Sequence, residues 1–283
     1  MMRSTILLYF LWISHSCIGQ DTKDEVVFKV QIKPETRYKQ VIEEISESSV
    51  KYTGSEVFLH KLNSRGVQNP TIRNNETKME TLVRTGKLTD TNEFPIELEL
   101  VRSKNSDGQS EIPEGSVFYG RGYLSESPSL DSMEPNEFDA AYKRTLIQTM
   151  LSTLTHFSFP EKTLKIGDSF STVSLQSVPV GDVNIDMVIT TRYKLRSIKN
   201  GIAGFDVTQS SRLKSGMMEY RVNASGSGKG KLVYDISNNF YLKYQLETEM
   251  AMTIKLDNFD LNLNSKSGYI HTTVISKNYT EGR

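Results

Sequence analysis

SGSGKGKLVY, residues 225–234, sets three glycines alternately with Ser and Lys ahead of an apolar run. Such a stretch is either a phosphate-gripping loop or a bend in a sheet, and the choice decides the fold. A P-loop needs G-x-x-x-x-G-K-[ST] between a strand and a helix, with backbone N–H groups around the phosphates and a hydroxyl on magnesium. Read on Gly230-Lys231, the first glycine falls on Ser225; read on Gly228-Lys229, it falls on Asn223. Leu232 and Gly230 follow the lysines, and neither carries a hydroxyl. Beyond them LVYDISNNFYLKYQL (232–246) alternates β-branched and aromatic residues as strands do. The stretch reads as strand.

The chain also repeats itself. Gly228-Lys229-Gly230-Lys231-Leu232 has a counterpart in Gly120-Arg121-Gly122-Tyr123-Leu124. Met187, Arg192 and Lys194-Leu195 precede the later copy as Met79, Arg84 and Lys87-Leu88 precede the earlier one. Further upstream, Lys165, Asp168 and Phe170 match Lys33, Thr36 and Tyr38. The offset grows toward the upstream markers, so the earlier half carries an insertion within 53–77, a segment rich in Asn, Gly and Thr. Alternate glycines leave one face of a strand bare, which lets a sheet bend or pack closely there. Lys229 and Arg121, lying between the glycines, face water. The opening stretch is thus a bend used twice, with Gly120 expected to serve as Gly228 does.

Strand-like runs fill the rest: 26–32, 57–62, 94–101, 116–124, 183–198, 204–207, 217–222, 231–236, 240–254, 259–264 and 268–276. Asn200-Gly201 and Asn238-Asn239 are hairpin turn signals. ETRYKQVIEEISESSV (35–50) fits either a strand or one face of a helix, through Tyr38, Ile42 and Ile45. One segment is helical: 137–157 spaces Phe138, Tyr142, Leu146, Met150 and Leu154 four apart, with Asn136 as the expected N-cap and Pro160 beyond the end.

The 283 residues suit one large or two modest domains, and 34 Lys+Arg against 34 Asp+Glu gives no charge excess for nucleic acid or an anionic surface. Arg3 and ILLYFLWI (6–13) form the n- and h-regions of an export signal, too short to span a bilayer. Small residues precede cuts after Ser16 and after Gly19, and Gln20 is the favoured mature start. Removal of that signal takes Cys17 and Trp12, leaving no thiol or disulfide chemistry. Lipidation at Cys17 is the alternative, although Ser14 stands where a lipoprotein signal usually has Leu.

Candidate chemistry is sparse. His60, His156 and His271 each stand alone, without a second ligand at metal spacing. Asp260, Asn262 and Asn264 fit the first positions of a calcium loop, but Ser265 replaces the required Gly and His271 the closing Glu. Glu97 and Glu99 share one strand face and offer a carboxylate pair. Asn75, Asn223 and Asn278 head N-x-S/T triplets. No nucleophile elbow appears, so neither enzyme chemistry nor a cofactor is expected.

FSFPEKTLKIGDSFST (157–172), TRYKLRSIKNGIAGFDV (191–207) and GKGKLVYDISNNFYLKYQLETEMAMTI (228–254) together resemble a family of uncharacterised, secreted β-rich proteins of bacterial envelopes. Asn239 stands where that pattern usually has Gly, and Phe170 where it often has Trp. The resemblance implies export and a β-rich fold, and carries no catalytic residue.

The expected architecture is a mainly β, curved antiparallel sheet of two related halves with one long helix between them, like the β-clam of periplasmic lipoprotein carriers. Its parts are a signal peptide (1–19), an N-terminal half (20–135), a connecting helix (136–157) and a C-terminal half (158–283). Function is read as an exported, non-enzymatic binding protein of the periplasm or outer envelope. It would hold an apolar small molecule or lipid between sheet and helix, near Tyr142, Met150, Leu154, Met250 and Met252. A structural or protein-interaction module with a filled core, partnered by other envelope proteins, is the alternative, and an enzyme of unknown type is the third reading. No nucleic acid partner and no membrane span after signal removal are expected.

Overall fold

A computed structural model describes residues 25–106, 108, 112–124, 126–155, 159, 161–180, 183–214 and 221–277. The signal region with Cys17, His156, most of the run 217–222 and Asn278 lie outside the described residues.

Eleven strands build one antiparallel sheet: β2 (Thr36–Gly54), β3 (Thr71–Thr85), β4 (Glu93–Asn105), β5 (Val117–Tyr123), β6 (Ser129–Glu134), β8 (Ser169–Val180), β9 (Val183–Lys199), β10 (Ile202–Leu213), β11 (Val222–Asp235), β12 (Phe240–Lys255) and β13 (Phe259–Lys277). Their spatial order is β6-β5-β4-β3-β2-β13-β12-β11-β10-β9-β8. Two meanders, β2 to β6 and β8 to β13, therefore meet where β13 pairs with β2 from Phe259↔Gly54 to Lys277↔Thr36. The remaining strands, β1 (Glu25–Phe28) and β7 (Lys162–Lys165), pair only with each other.

Hairpin turns hold the meanders together. Asn200 and Gly201 both take positive φ, 51° and 76°, between β9 and β10, as a two-residue hairpin requires. Asn239 adopts φ 52° before β12, so asparagine does there what glycine would do. The segment 35–50 is strand, because Tyr38 points into the core while Ile45, at odd register, is exposed to solvent.

The opening stretch forms most of β11. Ala224, Gly226, Gly228, Gly230 and Leu232 occupy one face, in register with Met252, Met250, Thr248, Leu246 and Tyr244 of β12. Cα atoms of β10 and β12 come within 8 Å of each other across β11. Strands two apart in a flat sheet stand about 9.5 Å apart, so the sheet is creased along the glycine strand. A Cβ placed on Gly230 would lie 2.0 Å from the Gln245 carbonyl oxygen, and one on Gly120 would lie 1.9 Å from that of Ser129. Gly120 therefore matches Gly230 rather than Gly228, where the nearest atom is a Thr248 methyl at 2.9 Å. A one-residue bulge lies between Tyr119 and Gly120, where β5 shifts against β6.

Two helices are present among the described residues, in place of a single long one. The run 57–62, expected as strand, belongs to α1 (Glu56–Ser64). Ser55 caps it, its Oγ accepting from the Phe58 N–H at 3.3 Å, with Glu56 in the first turn and Lys61 in the last. This helix sits between β2 and β3, within the segment 53–77 where an insertion was expected. The second, α2 (Ala140–Thr155), packs on β6 and is shorter than the expected 137–157. At 16 residues and at the sheet's edge, it does not supply the long cover that a clam requires. Its N-cap is Asp139, whose carboxylate accepts from the N–H groups of Ala141 (2.9 Å) and Tyr142 (3.0 Å). Those bonds hold the Asp139 carboxyl below its usual range. Asn136 instead accepts from the Lys143 ammonium. Asp139→Ala should therefore lower the urea midpoint, and Asn136→Ala should lower it less. Equal losses would return the cap to Asn136.

The main core lies between the sheet and a second layer made of the β1–β7 ribbon and α2. Phe28 contributes most, its ring 4.8–5.4 Å from those of Tyr234, Phe205, Phe159 and Phe170. Tyr234 pins the ribbon by donating its hydroxyl to the Lys29 carbonyl at 2.7 Å. A smaller cluster of Ile185, Met187, Val222, Ala224, Met252 and Ile254 lies toward the other end of β9, β11 and β12.

Candidate functional site

Gly122 on β5 shapes a place where helix, ribbon and sheet leave space. A Cβ at Gly122 would fall 2.2 Å from the Phe94 ring, so only glycine lets that ring lie across β5. A cavity of about 270 Å³ opens beside it. Phe94 and Phe240 line it from the sheet, Leu154 from α2, and Ile32 and Phe159 from the chain flanking the ribbon. Its mouth is polar: Lys29 pairs with Glu161 at 3.4 Å, and Gln31 donates its side-chain amide to the Leu124 carbonyl.

The five residues proposed for an apolar cavity do not come together. Leu154 lines this one. Met150 is fully buried in the main core beside it, and Tyr142 is exposed with its ring against Phe138. Met252 is buried in the smaller cluster, with Met250 half-buried against it. Between the two apolar regions runs a row in register across six strands: Thr191, Gln209, Gly228, Thr248, Ser267 and Ser46. Gln209 donates to Thr191 at 3.1 Å, and the Thr248 and Ser267 hydroxyls lie 2.7 Å apart. That polar row separates the strand methionines from the helix stripe. Alternation along β12 made them look like one surface, but a single strand can serve two cores.

Phe94, Phe159 and Phe240 were not singled out from the sequence. A signal was available for Phe94, since FPIELELV and the Gly-x-Gly strand are adjacent strand-like runs, and a bare glycine invites a neighbouring ring.

The remaining candidates have structural employment. Glu97 and Glu99 both bind Arg84, at 2.5 and 2.8 Å to its two terminal nitrogens. One guanidinium bridges both carboxylates, which are thereby held as structural partners of Arg84. Asp260, Asn262 and Asn264 lie along the extended strand β13 and so cannot wrap an ion as a loop does. Asn262 instead accepts from the Thr253 hydroxyl at 3.0 Å. His271 is fully buried, 3.4 Å from the Tyr241 hydroxyl, while His60 is exposed on α1. No group of three or more His, Cys, Asp or Glu side chains is placed to hold a metal among the described residues.

Tyrosine hydroxyls crowd the main core. Burial pushes Tyr38, Tyr234 and Tyr244 up to about 12, and it raises Tyr193, Tyr241 and Tyr269 further in the same direction. All favour the neutral phenol, which suits a core and gives no general base near neutrality.

Fold and site together define a mainly β protein built on a large, creased antiparallel sheet, with a small cavity of mixed polar and apolar lining beside its ribbon and helix. No protein-family profile matches the chain, and no curated protein sequence matches it. Among solved structures, the crystal structure of Pseudomonas aeruginosa OpdL aligns at 8% identity and TM-score 0.19, over 84% of this chain and 99% of that one. A chain from work on the asymmetric conductivity of engineered proteins aligns at 7% identity and TM-score 0.20, over 83% and 100%. At these scores neither likeness carries a fold or a function to this chain. Among the described residues no helix is long and apolar enough to cross a membrane.

Proposed function

We propose that this is an exported, non-enzymatic binding protein of the bacterial envelope, whose ligand is a small apolar molecule held under the ribbon and helix. The observation that carries the reading is the cavity itself: three aromatic rings, Ile32 and Leu154 around about 270 Å³, with a charged pair at the mouth. Binding sites combine apolar walls with placed polar groups, and here Lys29, Gln31, Glu126, Ser127, Thr155 and Glu161 line the space beside the rings. The volume lies just under the roughly 300–1,000 Å³ of drug-sized sites. It therefore suits one ring or a short alkyl segment better than a whole lipid. Export rests on the n- and h-regions at residues 3–13, and the two halves are read as related because Gly120 and Gly230 meet the same kind of obstacle.

Benzene, as the simplest probe, should raise the melting temperature of the protein and leave that of Leu154→Trp unmoved, since an indole would occupy the space. Solvent extraction and mass spectrometry of the purified protein should release a small apolar compound. A protein that yields no such compound and whose melting is indifferent to benzene has a filled core, and the binding reading fails.

A further inference from the structure

The two edges of the sheet are finished differently. On one side β6 carries Asp131 and Glu134, and α2 packs against it. Charges are one of the ways in which proteins keep an edge strand from pairing. On the other side β8 carries none. It pairs with β9 along its whole length, and no described strand meets its outer edge. From Ser169 to Val180 it contains no charged residue. Val173 and Leu175 are 66% and 65% exposed.

The order of residues along β8 adds a second observation. About Ser174 the strand is symmetric in kind: Val173 and Leu175, then Thr172 and Gln176, then Ser171 and Ser177, then Phe170 and Val178. An antiparallel pair of identical strands centred on Ser174 sets each of these residues opposite its counterpart in the other copy. Valine would meet leucine twice on one face, and threonine would meet glutamine twice on the other. Like-with-like cross-strand pairs of this sort stabilise a ladder, and no charge opposes a like charge. Charged side chains of β9 are drawn to the two ends, where Arg192 donates to Ser169 and Ser177 donates to Asp186, leaving the strand's centre clear.

We infer that the β8 edge is an interface for a second copy of this chain. The two copies pair antiparallel about a two-fold axis at Ser174 and continue one sheet across both. Such an isologous contact closes on itself and so yields a dimer rather than a fibre.

Two variants test it. In analytical ultracentrifugation at roughly 100 μM, in the range where weak specific contacts persist, the protein should sediment as a dimer. Val173→Lys should sediment as a monomer with an unchanged melting temperature, because a lysine on an edge strand opposes pairing without touching the core. Ser174→Cys, in a Cys17→Ser background, should form a disulfide-linked dimer under mild oxidation. Ser171→Cys and Ser177→Cys should link when mixed, and neither should link alone. A monomeric parent protein, a Val173→Lys variant that stays dimeric, or links that ignore this register would each overturn the inference.

Discussion

Gly230→Ala is expected to destabilise the protein by about 3 kcal/mol or more, at or above the upper end of ordinary overpacking. Gly120→Ala should do the same, and Gly228→Ala should cost about 1 kcal/mol or less. The three glycines sit in strands at ordinary φ, so alanine is intrinsically no worse there and would even restrict the unfolded chain. What differs is the atom in the way. At Gly230 the new methyl meets the Gln245 carbonyl oxygen at 2.0 Å, and at Gly120 it meets that of Ser129 at 1.9 Å. Neither is a side chain that can turn aside, so the neighbouring strand must leave its ladder. At Gly228 the Thr248 methyl at 2.9 Å can rotate away, and the Glu247 carbonyl oxygen at 3.1 Å and Gln209 Cβ at 3.2 Å need give only a few tenths of an ångström. Urea titrations of the three variants give the comparison directly. A Gly228 variant as unstable as the Gly230 variant would remove the crease from the account of this fold. Lys229→Ala, at an exposed position, should be silent beside them.

The second large effect is alkaline. Tyr38, Tyr234 and Tyr244 bind their protons more tightly folded than unfolded, with folded values near 12 against an ordinary 10. The folded state therefore carries more protons than the unfolded one above pH 10. Stability from these groups is fully present below pH 10 and is lost as pH climbs toward about 12. A shift of two units corresponds to about 2–3 kcal/mol per tyrosine. Three such groups together match the roughly 5–15 kcal/mol by which domains are stable at all. The protein should thus unfold cooperatively between pH 10 and 12, with phenolate absorbance and loss of the sheet's circular dichroism rising together. Tyr234→Phe should start less stable at neutral pH, having lost its bond to the Lys29 carbonyl, yet show a shallower alkaline slope. Tyrosines that ionise near pH 10 in a still-folded protein would contradict the burial on which this rests.

Much of the plan was legible in the residues. Alternation of apolar and polar side chains along most runs announced strands, because a strand with one buried face repeats every two residues whatever lies across from it. Asn200-Gly201 announced its turn, since few residues tolerate the positive φ that such a turn demands. The glycines of 225–230 announced a bend, because the absence of Cβ is a property of the residue itself. The helix stripe over Leu146, Met150 and Leu154 was legible for the same local reason.

What the residues left open depends on which groups meet across the sheet. The run 57–62 is apolar enough for a strand, and becomes α1 because Ser55 supplies a cap and no neighbouring strand claims it. Which glycine would meet a backbone oxygen, Gly120 and Gly230 rather than Gly228, depends on the neighbouring strand and leaves no mark on either strand alone. Met250 and Met252 alternate correctly, but nothing within β12 tells which of two cores receives them; the row through Thr248 does, and it spans six strands. The cavity, too, is a product of distant segments: Ile32, Phe94, Leu154, Phe159 and Phe240 meet only when ribbon, helix and sheet close. Period and backbone chirality are local and can be read from one chain direction. Register, crease and cavity are non-local, and only the folded chain decides them.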